Sequence, residues 1–197
     1  MNGRFRLAGA LAGALVVLVA LAGCLPEAVH PLSDPDQASR DQRLLGLWSA
    51  TIEDGTLFAH FLSEGDAVME IMTVSYEDDG DGEWLAFSMF ASRVGDDWYM
   101  NVKPLAESGE AFDQAEQNYY LSRYEITGDG RLTVWTMTEG AVIEDIRAGK
   151  VGGVVEEGGW VTTIRITEGT EGLNSYIRGS DPARLFGERL GEFRRVR

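Results

Sequence analysis

Few residues of this chain have the nucleophilic or acid–base chemistry that catalysis needs. Its 197 residues include one cysteine, Cys24, and two histidines, His30 and His60. His60 alternates with Phe58 and Leu62, and a lone histidine on an apolar strand face is more often structural than catalytic. The chain has no Gly-x-Ser-x-Gly nucleophile motif and no glycine-rich phosphate loop. We therefore expect no catalytic residues and no enzyme, with a hydrolase built from acids around His60 as the least favoured alternative.

One acidic segment has the composition of a calcium loop. It runs from Glu77 to Glu83 and reads Glu-Asp-Asp-Gly-Asp-Gly-Glu. A loop of the EF-hand type needs glycine at its sixth position and glutamate at its twelfth. Counted from Glu77, Gly82 is sixth but Ser88 is twelfth. The segment is therefore predicted to be a solvated hairpin turn, with a weak surface calcium site as the alternative. We expect no metal and no cofactor.

Residues 1–24 have the pattern of an export signal. Arg4 and Arg6 precede an uncharged run from Leu7 to Leu21 that is rich in Ala, Leu and Val. A positive region followed by a short apolar region is typical of a secretory signal peptide. The apolar run is shorter than the ~20 residues of a membrane-spanning helix. Cleavage is therefore expected, although an uncleaved anchor remains an alternative.

The end of this segment, Leu21-Ala22-Gly23-Cys24, resembles the lipobox of bacterial lipoproteins. In that family the cysteine thiol is diacylglycerylated, the peptide is cut before the cysteine, and the new amino terminus is acylated. The resemblance implies that residues 1–23 are a lipoprotein signal peptide and that Cys24 is the lipid attachment residue. Leu25, rather than Asp, follows the cysteine. In a bacterium with two membranes, this implies a cell-envelope protein on the outer membrane that faces the periplasm. An ordinary signal peptide with an unmodified cysteine is the alternative.

Residues 24–43 are predicted to form an acylated tether. Pro26, Pro31 and Pro35 lie within it, and proline restricts both its own backbone and that of the preceding residue. Such a segment favours an extended spacer. Asp34 and Pro35 also have the order of an N-cap and a first helical residue, which predicts a short helix that ends near Leu45.

Residues 44–197 are predicted to form a single, mainly β domain. Trp98, Met100 and Val102 alternate with polar or aromatic neighbours, which is the period of a half-buried strand. Residues 104–117 are predicted to be a long loop, and residues 139–150 and 170–178 short helices, the second with Thr170 as N-cap. The predicted strands are 46–52, 56–62, 67–77, 84–92, 98–102, 119–126, 131–137, 154–155, 160–166 and 190–196. This pattern predicts an antiparallel barrel of about eight strands with one or two short helices, since closure removes exposed edges. A β-sandwich is the alternative.

The first predicted strand begins with Gly46-Leu47-Trp48, which resembles the Gly-x-Trp signature of lipocalins and their calycin relatives. The resemblance implies that Trp48 packs under the closed end of an eight-stranded barrel. It also implies that an arginine of the last strand stacks on the indole, and Arg194, Arg195 and Arg197 are available for this role. The second lipocalin signature, Thr-Asp-Tyr, is absent. The resemblance therefore concerns architecture and implies no particular ligand.

Net charge and aromatic content limit the functions and partners to be expected. The net charge is −15 and becomes −17 after loss of residues 1–23, which contain Arg4 and Arg6 but no acid; nucleic acid is therefore not an expected partner. Most aromatic residues of the predicted strands are expected to belong to the core, and a surplus is expected to line an apolar cavity or to form an exposed patch. We expect a non-enzymatic, lipid-anchored envelope protein that binds a small apolar, lipid-like ligand or assists envelope maintenance. A protein–protein interaction module of an envelope complex is the alternative. These aromatic residues are Phe58, Phe61, Tyr76, Trp84, Phe87, Phe90, Trp98, Tyr120, Tyr124, Trp135 and Trp160.

Overall fold

The structure is a computed structural model, and it describes residues 25–38, 41–52, 55–63, 68–77, 82–115, 117–158 and 162–196. Cys24 and the signal segment before it lie outside the described residues. So do residues 78–81 of the acidic turn, and Trp160.

The described residues form short strands and a few helices. The first strands are β1 (Glu27–Ala28), β2 (Gly46–Ile52), β3 (Gly55–Ser63), β4 (Met69–Glu77), β5 (Gly82–Val94) and β6 (Asp97–Glu107). The later strands are β7 (Glu110–Ala111), β8 (Tyr119–Ile126), β9 (Arg131–Thr136), β10 (Gly153–Glu156), β11 (Thr163–Ile166) and β12 (Glu188–Arg195). The helices are α1 (Glu139–Arg147), α2 (Thr170–Gly179) and α3 (Pro182–Leu185), with a 3₁₀ turn at Pro35–Gln37.

Eight antiparallel strands close into a barrel in the order β2-β3-β4-β5-β6-β8-β9-β12. Strand β6 pairs with β8, and β12 pairs with both β9 and β2, so the sheet returns to its starting strand. The predicted barrel is confirmed, and the sandwich alternative is wrong. The described residues include three α-helices rather than one or two, because Asp181 caps a short additional turn by accepting from the Ala183 amide at 2.9 Å.

Strand β6 is longer than its sequence suggested. Residues 104–107 continue the strand, so the predicted loop over 104–117 is wrong in its first part. Pro104 is tolerated because β6 pairs with β8 only as far as Val102. Between Val102 and Ala106, where β6 begins to pair with β7, one side of β6 is an edge that needs no amide donor.

The chain leaves the barrel between β9 and β12. Residues 137–158 and 162–187, here called the insert, cover the outer face of β6, β8 and β9. Val142, Leu173 and Phe186 of the insert are buried in one cluster with Tyr99 and Leu121 from the barrel wall. Helix α1 follows the predicted range closely, although it ends at Arg147. Helix α2 is also confirmed, but its N-cap is Gly169 and not Thr170.

One buried carboxylate connects the three helices of the insert. Asp145 of α1 pairs with Arg184 of α3 at 2.7 Å and with Lys150 at 2.8 Å, and it accepts the Tyr176 hydroxyl of α2 at 2.9 Å. The hydrogen bond from Arg184 holds the pKa of Asp145 well below its usual value despite the burial of the carboxyl. The ionised form is therefore the one that stabilises the insert.

Residues 25–38, here called the N-terminal segment, precede the barrel and pack against it. Strand β1 lies between β8 and β11. The Leu32 amide donates to Asn101 Oδ1 at 2.7 Å, the Leu32 carbonyl accepts from the Asn174 amide, and the Leu32 side chain is buried. Residues 25–38 therefore do not form a spacer that stands clear of the domain. The helix that begins after Asp34 ends at Gln37, and the expectation that it reaches Leu45 is wrong.

The closed end of the barrel is built around Trp48. Its side chain is fully buried, and its indole Nε1 donates to the Leu44 carbonyl at 2.6 Å. The Arg195 guanidinium lies 4.4 Å from the indole centroid and donates to the carbonyls of Arg43 and Leu45. Gly46 has a φ of +111°, and a Cβ there would lie 3.1 Å from Arg195 Nη1. The Gly-x-Trp spacing thus provides both the indole and the room for its arginine. The stacking of an arginine of the last strand on Trp48 is what the lipocalin resemblance implied.

Replacing Arg195 with alanine tests this end of the barrel. Arg195→Ala removes the cation–π contact and two charge-assisted hydrogen bonds, so we expect a loss of about 1–3 kcal/mol in the free energy of unfolding. Urea denaturation measures this change. Arg194→Ala is the matched control, because Arg194 is exposed and has no contact with Trp48 among the described interactions. Equal effects of the two substitutions would contradict the role given to Arg195.

Asp145→Asn tests the pH dependence of the insert. The pKa of Asp145 is lowered in the folded protein, so its contribution is complete above the ordinary value of 3.8 and decreases as the pH falls towards the folded value. At pH 7 we expect the variant to lose about 2 kcal/mol, and the gap should narrow below pH 3.8. Urea denaturation at several pH values measures it. The exposed carboxylate in Glu171→Gln provides the control, and a gap that stays constant with pH would refute the assignment.

Candidate ligand-binding cavity

The barrel interior is filled at the Trp48 end and contains a cavity of about 420 Å³ towards the other end. This volume lies in the range of ~300–1,000 Å³ that is usual for small-molecule sites. The cavity reaches solvent beside Glu188 and Leu190, which are exposed. The inward residues that line it are Ile52, Leu57, Ala59, Phe61, Ile71, Thr73, Leu85, Phe87, Met100, Val102, Tyr120, Ser122, Leu132, Val134, Thr136 and Phe193. Leu25, Pro26, Leu121, Met137, Glu188, Arg189 and Leu190 complete the lining.

The cavity follows from the side chains that alternate inward. Leu85 and Phe87 of β5 point into it. Ala59 and Thr73 are small and lie directly opposite each other on β3 and β4, so they leave the space that larger residues would fill. Opposed residues of antiparallel strands share a face of the sheet. The pair Phe61 and Ile71, next in register towards the closed end, begins the packed core.

Tyr120 provides one polar group in the wall, and that group is engaged by the N-terminal segment. Its hydroxyl donates to Glu27 Oε1 at 3.1 Å, while the Asn118 amide donates to Glu27 Oε2 at 2.8 Å. Burial, together with the nearby Glu27 carboxylate, raises the pKa of the Tyr120 hydroxyl. The Tyr120 phenol is therefore neutral, and its hydrogen bond to Glu27 fixes its position. Its contribution to the site is to shape the cavity wall.

A second polar network lies near the closed end. Asp41 accepts the Tyr124 hydroxyl at 2.9 Å and two nitrogens of the Arg43 side chain at 2.7 and 2.8 Å. Burial opposes ionisation of Asp41, yet the hydrogen bonds from Arg43 and Tyr124 keep its pKa below the usual value. Burial also raises the pKa of Tyr124. These groups satisfy one another's hydrogen-bonding capacity and fix the position of the chain that leads into β2.

The structure places both histidines away from the cavity. His60 is exposed on the outer face of β3, where Leu47 and Met72 are its neighbours in register, and His30 is exposed in the N-terminal segment. Cys24 lies outside the described residues, but the next residue, Leu25, lines the cavity. The sequence had no signal for this role of Leu25.

The aromatic residues divide among four environments. Phe61, Phe87 and Tyr120 line the cavity. Trp135 packs against the buried cluster of the insert, as does Tyr119, on which Phe90 packs edge to face. Trp98 and Tyr124 pack near the closed end. The outer apolar patch, as we call it, lies on the outer face of β3, β4 and β5 and includes Tyr76 at 51% exposure and Met72 at 42%. Its residues are Phe58, Met72, Val74, Tyr76 and Trp84.

The described residues include neither a metal-binding cluster nor a helix that could span a membrane. No group of three or more His, Cys, Asp or Glu side chains is arranged to hold a metal ion there. The described helices also include none with the length and apolar character needed to cross a bilayer. Residues 78–81 of the acidic turn, which is the alternative site for weak calcium binding, lie outside this part of the chain.

The fold and the cavity define the class of protein as a closed eight-stranded antiparallel barrel with an apolar interior. This architecture is compatible with a lipocalin-like barrel. Comparison of the chain with protein-family models, with curated proteins and with solved structures gives no match.

Proposed function

We propose that this protein is a lipid-anchored envelope protein, not an enzyme, whose barrel binds a small apolar ligand. The observation that supports this proposal is the cavity of about 420 Å³, which is lined almost wholly by apolar side chains and reaches solvent at one end. A bound alkyl chain gains ~0.8 kcal/mol for each methylene removed from water. About ten buried methylenes therefore contribute ~8 kcal/mol, which exceeds the smaller estimates of the entropy lost on binding, ~4 kcal/mol, and leaves a favourable binding free energy.

The anchor is the acylated Cys24. Leu21-Ala22-Gly23-Cys24 supports this part of the proposal through its resemblance to the lipobox. Because Leu25 and Pro26 line the cavity, an anchor on Cys24 keeps the open end of the barrel close to the membrane. The protein is proposed to sit on the outer membrane and to face the periplasm, where its ligand comes from the bilayer or the surrounding fluid.

Filling the cavity tests ligand binding. Val102→Trp adds an indole to the inward face of β6, and we expect it to weaken binding of the neutral probe 1-N-phenylnaphthylamine by at least about tenfold. The measurement uses acylated protein in lipid nanodiscs. Energy transfer from protein tryptophans to the probe reports the probe bound to protein.

Val154→Trp is the matched control, because Val154 is 43% exposed on β10 and the substitution also adds one tryptophan. We expect the control to bind the probe as the wild type does. Absence of saturable binding by the wild type, or equal binding by the two variants, would contradict the proposal.

Replacing the anchor residue tests the lipoprotein assignment. Cys24→Ser removes the thiol that the lipid modification requires, so we expect an unprocessed and unacylated precursor in a bacterial host. Intact-mass spectrometry and membrane fractionation measure both properties. Normal processing and membrane retention of Cys24→Ser would refute the assignment and leave the cavity proposal standing.

The outer apolar patch favours a second candidate function, a protein–protein interaction module of an envelope complex. Met72 and Tyr76 are exposed there, and Phe58 packs edge to face on Tyr76 with 6.1 Å between ring centroids. Exposed apolar patches often mark interaction sites. No probe binding by the wild type, combined with crosslinking of this patch to an envelope protein, would favour this second candidate.

A further inference from the structure

The inward face of the barrel changes from apolar to acidic at the mouth of the cavity. Leu85 and Phe87 of β5 line the cavity, and residues two apart in a strand share a face. Glu83 is therefore on the same inward face, one step closer to the mouth, and it is exposed.

An irregularity in β6 brings a second carboxylate onto this face. Phe87 pairs with Pro104, but Leu85 pairs with Glu107, so β6 contains one extra residue at this point. Directly opposed residues share a face, which places Glu107 inward beside Leu85. Without this bulge, strict alternation from Val102 would point residue 107 outward.

Two further carboxylates complete the group. Ser108 and Gly109 both have positive φ and form the tight turn that pairs Glu107 with Glu110. On the other side of the mouth, Glu188 pairs with Thr136, and both line the cavity. Glu83, Glu107, Glu110 and Glu188 are here called the acidic rim.

The described ion pairs leave the acidic rim uncompensated. None of its four members is in an ion pair within the part of the chain that the structure describes. Arg189, the one cation of the cavity lining, pairs with Glu192. Lys103 is on the outer side of β6, 4.7 Å from the Tyr119 ring centroid. Like charges opposed across strands, as in Glu107 and Glu110, repel, and a bound cation would relieve this repulsion.

We infer that the ligand of this cavity is a cationic amphiphile, with an apolar chain or ring and an amine or other cationic head. This inference rests on the proposed ligand-binding function and adds the class of ligand. The apolar part lies among Leu85, Phe87 and Val102, while the head remains at the acidic rim. A carboxylate-headed lipid of the same length would place its charge among four others of the same sign.

Three eight-carbon ligands that differ only in the head group test the inference. Octylammonium, octanol and octanoate compete with the neutral probe at pH 7 for acylated protein in zwitterionic nanodiscs. Nanodiscs that contain the Val102→Trp variant provide the blank, which corrects for ligand that partitions into the lipid. We expect octylammonium to bind at least about tenfold more tightly than octanoate, with octanol between them, and the difference to shrink as salt increases.

A matched pair of triple variants separates the effect of the acidic rim on ligand affinity from the effect of the protein's overall negative charge. Glu83→Gln, Glu107→Gln and Glu110→Gln are combined in one protein. The control combines Glu125→Gln, Glu156→Gln and Glu171→Gln, which are exposed acids on β8, β10 and α2. Both variants change the net charge equally. We expect the first to reduce the ratio of octylammonium to octanoate affinity to within about threefold, and the second to leave the ratio near the wild-type value.

The outcomes distinguish this inference from the function on which it rests. Probe binding with equal affinity for the three ligands, or equal effects of the two triple variants, would overturn the cationic assignment and leave apolar binding intact. If neither the probe nor any of the three ligands binds, the proposed function fails and the inference fails with it. If loss of selectivity is confined to the rim variant, the inference is supported.

Discussion

Strand β12 pairs with β9 along one side and with β2 along the other, and this double pairing closes the barrel. The last strand must return after the whole insert to reach the first strand. It does so in a register that places Arg195 opposite Trp48. The same contact therefore closes the sheet, covers the indole and connects the C-terminal strand to the carbonyls of the chain before β2. An eight-stranded barrel has an interior just wide enough for side chains to fill. Once the barrel is closed, the sizes of the inward residues decide whether it is solid or hollow.

The barrel wall packs against one hydrophobic cluster on its inner face and another on its outer face. Trp48, Met69 and Met89 fill the closed end from inside. On the outer face, the insert and the N-terminal segment cover β6, β8 and β9, where Tyr99 and Leu121 are buried. The outer face of β3, β4 and β5 includes the outer apolar patch instead. One part of the wall is therefore covered by the chain itself, whereas Met72 and Tyr76 remain exposed on the other part.

Much of the barrel could be predicted from local sequence pattern, because strand alternation and turn residues act within a few positions. Trp98, Met100 and Val102 illustrate this, and Gly46 with Trp48 identified the closed end. The docking of Leu32 could not be predicted, because its partner Asn101 is 69 positions away in the chain. The prolines around Leu32 suggested an extended spacer, and the segment is indeed irregular, but tertiary hydrogen bonds bind it to the barrel. Glu107 is a similar case, since one inserted residue in β6 reverses the face that alternation assigns.

The proposed ligand site joins a hollow apolar interior to an acidic mouth. Small residues such as Ala59 and Thr73 make the interior hollow. Native mass spectrometry of wild-type protein, extracted from its own membrane and transferred to the gas phase intact, tests the central claim most directly. The account predicts a noncovalent small-molecule adduct on the acylated protein, absent from Val102→Trp prepared in the same way. Repeated spectra of wild-type protein with no adduct, or the same adduct on Val102→Trp, would contradict it.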